Sequence, residues 1–270
     1  MANVAFGQYY PTSSFTHKCD PRTKILFLIG FIVAIFISKN FYALGACALV
    51  FAIVAIFSKI PFKTLLKSVR AVLVLLIFTA VLNLFFQTDG EVVFEWSAIK
   101  LTKEGLYATA FLGIRLFLLV LASSLLTLTT TPVSLTDGLE SLLSPLKLIK
   151  FPVHELALVM SIALRFIPIL TDETARIMNA QKARGADFEN GKLLDRVKAI
   201  VPILIPLLVS AFRRADELGD AMDARCYSGS TNRTKYKKLK FTWRDLIAIL
   251  LLITLIVGVV LLKANFPAVI

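Results

Sequence analysis

Histidine, cysteine and acidic residues are scarce in this chain, and each shortage closes off a class of function. The two histidines, His17 and His154, lie far apart and not at metal-ligand spacing. Three cysteines, Cys19, Cys47 and Cys226, are scattered over 270 residues and imply no disulfide framework. A phosphate loop requires a glycine five positions before Gly-Lys; at Gly191-Lys192 that position is Ala186, and Leu193 stands where the hydroxyl residue belongs. Neither a serine elbow nor a cysteine–histidine arrangement is present, so hydrolytic and nucleophilic chemistry has no residues to carry it. Acids number 18 against 30 lysines and arginines, giving a net charge of +12, yet no element that reads nucleic acid accompanies the charge.

What the chain has in excess is apolar residues, at 57% with 21 phenylalanines and a mean hydropathy of +0.77. They are gathered into runs at 25–37, 41–57, 71–86, 105–128 and 246–262. A helix needs roughly 20 residues to span the hydrocarbon layer, so the first two runs must borrow from their flanks across the Ser38-Lys39-Asn40 turn. Unpaired backbone groups are intolerable in lipid, and helices are the solution open to such runs. The expected fold is all-α, a polytopic membrane protein with about five transmembrane helices. The sequence divides at 1–130, 131–244 and 245–270, the outer two parts membrane-spanning and the middle one polar. The first run lacks a small-residue cleavage signal and is followed by others, so it is expected to be retained.

Basic residues orient the bundle. Lys18, Arg22 and Lys24 precede the first run, and Lys59, Lys63, Lys67 and Arg70 separate the second from the third. The 88–104 connection instead has two lysines against four acids. The positive-inside rule then places the N-terminus and the 131–244 segment in the cytoplasm and the loop around residue 90 outside. That middle segment holds eighteen of the Lys and Arg residues and twelve of the acids. The basic stretch Arg233, Lys235, Lys237, Lys238, Lys240 and Arg244, just before the last run, is accounted for by anionic headgroups.

The polar middle reads as two long helices. Pro152 suits a first turn, Pro168 is expected to kink or interrupt the helix, Asp172 and Arg176 stand at i,i+4, and Gly185 fits a left-handed cap. The second helix starts near Lys192 and passes through the 201–206 run, too short to span and expected to be buried or interfacial. The 153–170 stretch is long enough to cross despite His154, Glu155 and Arg165. A shift of 41 residues superposes Ala180, Ala183 and Arg184 on Ala221, Ala224 and Arg225. An arginine at a helix C-terminus complements the dipole and offers a planar fork of donors on a long stem. Within the apolar runs, Arg115 is costly in lipid and is expected to face protein; Asn83 is a second candidate for an intramembrane structural or partner contact, and Arg165 a third.

The segments ALRFIPIL, DETARIMNAQKARGADFE and RRADELGDAMDARCY, with the hydrophobic runs on either side, resemble the transmembrane coupling subunit of energy-coupling factor (ECF) transporters, the EcfT or CbiQ-like family. The resemblance covers most of the chain. It implies that Ala183-Arg184-Gly185 and Ala224-Arg225-Cys226 end long cytoplasmic coupling helices and dock two EcfA-like ATPase subunits, with Cys226 standing where the first motif has glycine. It further implies a separate substrate-binding membrane subunit, the S component, and uptake of a vitamin or metal ion. No cofactor is then bound by this chain, ATP and Mg being held by the partner subunits, and the protein is not an enzyme. The competing readings from the residues are an autonomous carrier lined by Arg115 and Asn83, and a membrane-embedded enzyme, for which no catalytic constellation exists.

Overall fold

The computed structural model describes residues 9–70, 72–86, 92–96, 99–186, 193–227, 229 and 239–265. Gly191-Lys192, the start of the basic stretch at Arg233 and the loop around residue 90 lie outside them. The chain forms two compact units, one comprising 1–142 with 237–270 and the other 143–236.

In the first unit, α1 (Pro21–Ile37) starts under an N-cap from Asp20, whose carboxylate accepts from the Arg22 amide at 2.9 Å, with Pro21 in the first turn where its missing amide costs nothing. α2 (Phe41–Ser58) follows the tight 38–40 turn and stops at Lys59 in the left-handed conformation, φ 54°. The basic connection after it is itself a helix, α3 (Phe62–Arg70), bent by 61° from α4 (Leu73–Phe86). An antiparallel pair, β1 (Val92–Trp96) with β2 (Ile99–Thr102), then leads into α5 (Lys103–Thr129), capped by Thr102 accepting from the Gly105 amide at 3.2 Å. α6 (Pro132–Leu143) precedes the second unit, and α9 (Trp243–Asn265) returns after it. Apart from the hairpin, the regular structure described is helical, as the hydrophobic runs require.

α5 is the centre of this unit and packs on α1, α2, α3 and α4, while α9 closes against α1 and α2. Phe31, Ile35, Leu44, Leu65, Phe111, Leu118 and Val259 fill the interior. At Gly30 a Cβ would meet the Leu252 side chain at 2.8 Å, so the absent side chain is what lets α1 and α9 approach. The outer faces are equally apolar: Leu26, Ile29, Val33 and Phe36 form an exposed stripe on α1, and Leu246, Leu250, Ile253 and Val257 one on α9. Apolar residues inside and outside alike mark a bundle whose solvent is lipid. α2, α5, α7 (below) and α9 are each long and apolar enough to cross a bilayer, and the bent α3–α4 pair would make a fifth. α1, at 17 residues, is about 26 Å long and needs its flanks, as its run suggested. The chain is thus an all-α polytopic membrane protein.

Polar bonds fasten both ends of the bundle. At one end buried Asp245 accepts from the Asp20 amide and the Thr242 amide, each at 2.7 Å, and Lys24 donates to the Thr129 carbonyl at 2.9 Å. At the other, Arg115 Nη2 donates to the Ser38 carbonyl at 2.6 Å, and Asn40 Nδ2 to the Leu262 carbonyl at 3.1 Å.

The second unit contains a 3-10 turn (Ser144–Ile149), α7 (Val153–Ala183) and α8 (Leu193–Asp223), the last two packed on each other. Its limits fall inside the 131–244 segment drawn from charge alone, because α6 belongs with the first unit: a Cβ on Gly138 would lie 2.9 Å from Pro21 Cβ. Pro168 does not end α7, which runs on for fifteen residues to Ala183. One proline removes one intrahelical bond and the neighbouring amides continue the ladder.

Candidate functional site: duplicated arginine turns

α7 and α8 end in the same turn. After α7, the Ala186 amide donates to Gln181 O and the Gly185 amide to Lys182 O, both at 3.0 Å, with Gly185 at φ +88°. After α8, the Tyr227 amide donates to Met222 O at 3.1 Å and the Cys226 amide to Asp223 O at 2.9 Å, with Cys226 at φ 54°. Each is a Schellman motif, with the six-to-one and five-to-two bonds that satisfy the last carbonyls of a helix. Every partner in the second equals its counterpart in the first plus the 41-residue shift. Cys226 therefore takes the left-handed position that Gly185 takes, although it has a Cβ. The turn places Ala183, Arg184 and Gly185, and Ala224, Arg225 and Cys226, in full exposure. Each arginine stands at the end of its helix between small neighbours, Ala183 and Gly185 in the first turn and Ala224 and Cys226 in the second. The arrangement suits carboxylate or carbonyl acceptors in a groove and holds no reacting group of its own.

The cost of the left-handed residue differs between the turns. Gly185→Ala is expected to lower stability by about 1 kcal/mol, whereas Cys226→Gly should be neutral or slightly stabilising. Thermal midpoints of the two variants in detergent check the contrast.

The packing of α7 on α8 contains a feature the sequence reading missed. Glu173 Oε2 lies 3.7 Å from Arg214 Nη2, and Arg213 Nε lies 3.8 Å from Glu217 Oε1. Position 214 is position 173 shifted by the same 41 residues, so the helices meet at equivalent points. Three acid–base positions invert sign under that shift: Asp172 becomes Arg213, Glu173 becomes Arg214 and Arg176 becomes Glu217. Two helices crossing about a local pseudo-twofold bring equivalent positions together, and identical charges there would repel. Inverted signs turn the repulsion into a pair. The signal was visible once the shift had been found. Asp172 and Arg176, expected to pair along α7, form no ion pair among the described residues. Each arginine tip stands eleven residues, about 16 Å of helix, beyond the Glu173–Arg214 bridge.

In the 201–206 run, expected to be buried or interfacial, one apolar face turns inward and another outward. Ile203 is buried, but Val201, Ile205, Leu208 and Phe212 form an open apolar stripe on α8, with Ile205 60% and Phe212 64% accessible. Of the intramembrane candidates, Arg115 is tied to the helix end at Ser38 and stacks on Phe111 at 4.7 Å, so its charge faces the bundle. Asn83 is half-buried on α4 with no hydrogen bond to another helix among the described residues, and Arg165 is exposed on α7 without an ion pair among them. No group of histidine, cysteine and acidic side chains able to hold a metal occurs among the described residues. Cys19 and Cys47 are buried and Cys226 exposed; burial, helped by the nearby Asp245 carboxylate, pushes the Cys19 thiol up to about 11.

Comparison with known proteins identifies the family. A family model described as CbiQ, cobalt transport protein, matches residues 12–236. The energy-coupling factor transporter transmembrane protein EcfT of Ruminiclostridium cellulolyticum is 45% identical over 266 residues, covering 98% of this chain and 99% of the relative. The EcfT of Brevibacillus brevis is 49% identical over 260 residues, covering 95% and 97%, and that of Bacillus subtilis is 44% identical over 264, covering 98% and 100%. The chain belongs to the CbiQ family and, within it, to the EcfT transmembrane components of energy-coupling factor transporters.

Proposed function

We propose that this chain is the non-enzymatic scaffold of an ATP-driven importer, in which Arg184 and Arg225 each dock one ATPase subunit. The observation that carries the proposal is the repeated turn: one backbone motif, used twice at the same offset, presents one arginine twice. Two equal presentations suit two like partners. In this reading the turns and the N-terminus face the cytoplasm, ATP and Mg are held by the partner subunits, and a substrate-binding membrane subunit selects the vitamin or metal ion. ATP binding draws the two ATPases together; the tips are displaced, and the α7–α8 pair passes the displacement on to the membrane subunit. The apolar stripe on α8 gives that subunit a hydrophobic face to pack on.

Cys226 supplies a direct test. It adjoins Arg225 and is the exposed cysteine among three, the other two being buried. A photo-crosslinker attached to Cys226 in the assembled transporter is expected to trap an ATPase subunit on irradiation. The same reagent on Cys19→Ala/Cys47→Ala protein should give the identical adduct. Adducts confined to the membrane subunit or to lipid would overturn the docking assignment.

A further inference from the structure

No acid occurs between Asp20 and Asp89, yet Lys59, Lys63, Lys67 and Arg70 fall in the middle of that interval. α3 sorts these residues by face. Leu65 and Val69 point into the core at 1% and 3% accessibility, while Lys63, Lys67 and Arg70, at i, i+4 and i+7, form one exposed stripe. None of the three has an ion-pair partner among the described residues. The 61° bend turns α3 away from the direction of α4.

Beside this helix a cleft of about 920 Å³ opens between α1, α3 and α5. Its lining is graded. α1 and α5 run antiparallel, as Lys24 bonded to Thr129 at one end and Arg115 bonded to Ser38 at the other require. Toward the Thr129 end it is walled by Ser123, Ser124 and Thr127 of α5, with Lys67 and Ser68 of α3 and with Leu128; toward the Ser38 end it is walled by Leu119 of α5 and the outward-facing Phe36 of α1. A cation and hydroxyls toward one end and hydrocarbon toward the other match an amphiphile with an anionic head.

We propose that this cleft binds one anionic glycerophospholipid, its phosphate at Lys67 and an acyl chain along Phe36 and Leu119. Charge complementarity selects the head: Lys67 has no carboxylate to neutralise it. The apolar end selects a lipid over a free phosphate ester, which would leave that end unfilled. The site is independent of the arginine turns and is unaffected if they dock something else.

The test is native mass spectrometry of the full chain extracted from nanodiscs of equal phosphatidylglycerol and phosphatidylcholine. The wild type is expected to retain one phospholipid, with phosphatidylglycerol favoured about five-fold, the worth of one surface cation. Lys67→Gln should bring the two lipids to parity, and Val120→Trp, which fills the cleft wall, should abolish retention. Lys263→Gln, on α9 away from the cleft, should change neither. Equal retention of both lipids by the wild type, or an unaltered preference in Lys67→Gln, would overturn the proposal. So would displacement of the lipid by glycerol 3-phosphate at concentrations comparable to the lipid itself, because it would show that the acyl chain contributes nothing. Lys67→Gln changes only an exposed side chain, so a folding failure of Val120→Trp would still leave the charge arm decisive.

Discussion

Replacing Arg184 and Arg225 together with glutamate is expected to abolish ATPase association and, with it, ATP-dependent uptake. A long cation buried at the centre of a protein groove costs about 2 kcal/mol or more when truncated, and reversing its sign adds repulsion from the acceptors it leaves behind. At about 2 kcal/mol each, either ATPase loses roughly thirty-fold in affinity, and the constant for holding both at once falls by roughly a thousand-fold, because sites with no shared partner add. Each single reversal should therefore leave one ATPase bound and weaken the other. Arg→Lys at either turn should fall between: the charge remains, but the planar fork that grips a carboxylate or two carbonyls is gone. The readout is co-purification from detergent with the ATPase subunits, scored beside monodispersity of the scaffold. A double variant that stays monodisperse and keeps both ATPases would sink the assignment. Nothing else in the fold should suffer, since Arg184 and Arg225 are exposed and their turns are closed by backbone bonds.

The turns were half legible in the sequence. Ala-Arg at a helix end is a weak sign alone, and the 41-residue shift made it stronger, but a reader of residues would not assign Cys226 to the left-handed region, which costs a side chain about 1 to 2 kcal/mol. The backbone bonds from Tyr227 and Cys226 show that the requirement for a Schellman closure outweighs that cost. The hydrophobic runs specified α1, α2, α4, α5 and α9 well, since a run bounded by charge leaves few alternatives in lipid. α3 was hidden because its nine residues, FKTLLKSVR, scatter three cations among the apolar side chains, so that it reads as a basic loop until its two buried residues are seen to share a face. The continuity of α7 through Pro168 was also invisible, because a proline in sequence does not reveal how firmly its neighbours are held. α6 carries Asp137 and Glu140 yet packs by Gly138 onto Pro21, a close approach that composition cannot register. The lock between chain ends was the least legible part, because it depends on a pairing 225 residues apart.

Asp245→Ala is expected to be the most damaging single change to the bundle. The carboxylate is 1% accessible and accepts two backbone amides at 2.7 Å, one from Asp20 before α1 and one from Thr242 before α9. Alanine would leave the buried Asp20 amide without an acceptor, while the amide of exposed Thr242 could turn to water. Hydrogen bonds to a charged group are worth about 1.5 to 3 kcal/mol each, so the pair amounts to about 3 to 6 kcal/mol, less what water returns to the Thr242 amide. For a chain of this size that lowers the thermal midpoint by on the order of 10 °C. Asn at 245 keeps one acceptor oxygen and presents an NH2 to the other amide, and should lose more than half of what Ala loses; Glu keeps the charge but must displace the Asp20 segment to fit. Thermal unfolding in detergent, with Lys263→Ala as a surface control, gives the ranking. The first unit is built from the two ends of the chain with the α7–α8 unit inserted between them, and Asp245 is the bond that joins those ends across the insertion. Loosening it should therefore weaken the footing of α9 on α1 and depress uptake even where ATPase association survives. An unchanged midpoint in Asp245→Ala would mean that water satisfies both amides and that the apolar packing around Gly30 and Leu252 alone holds α1 to α9.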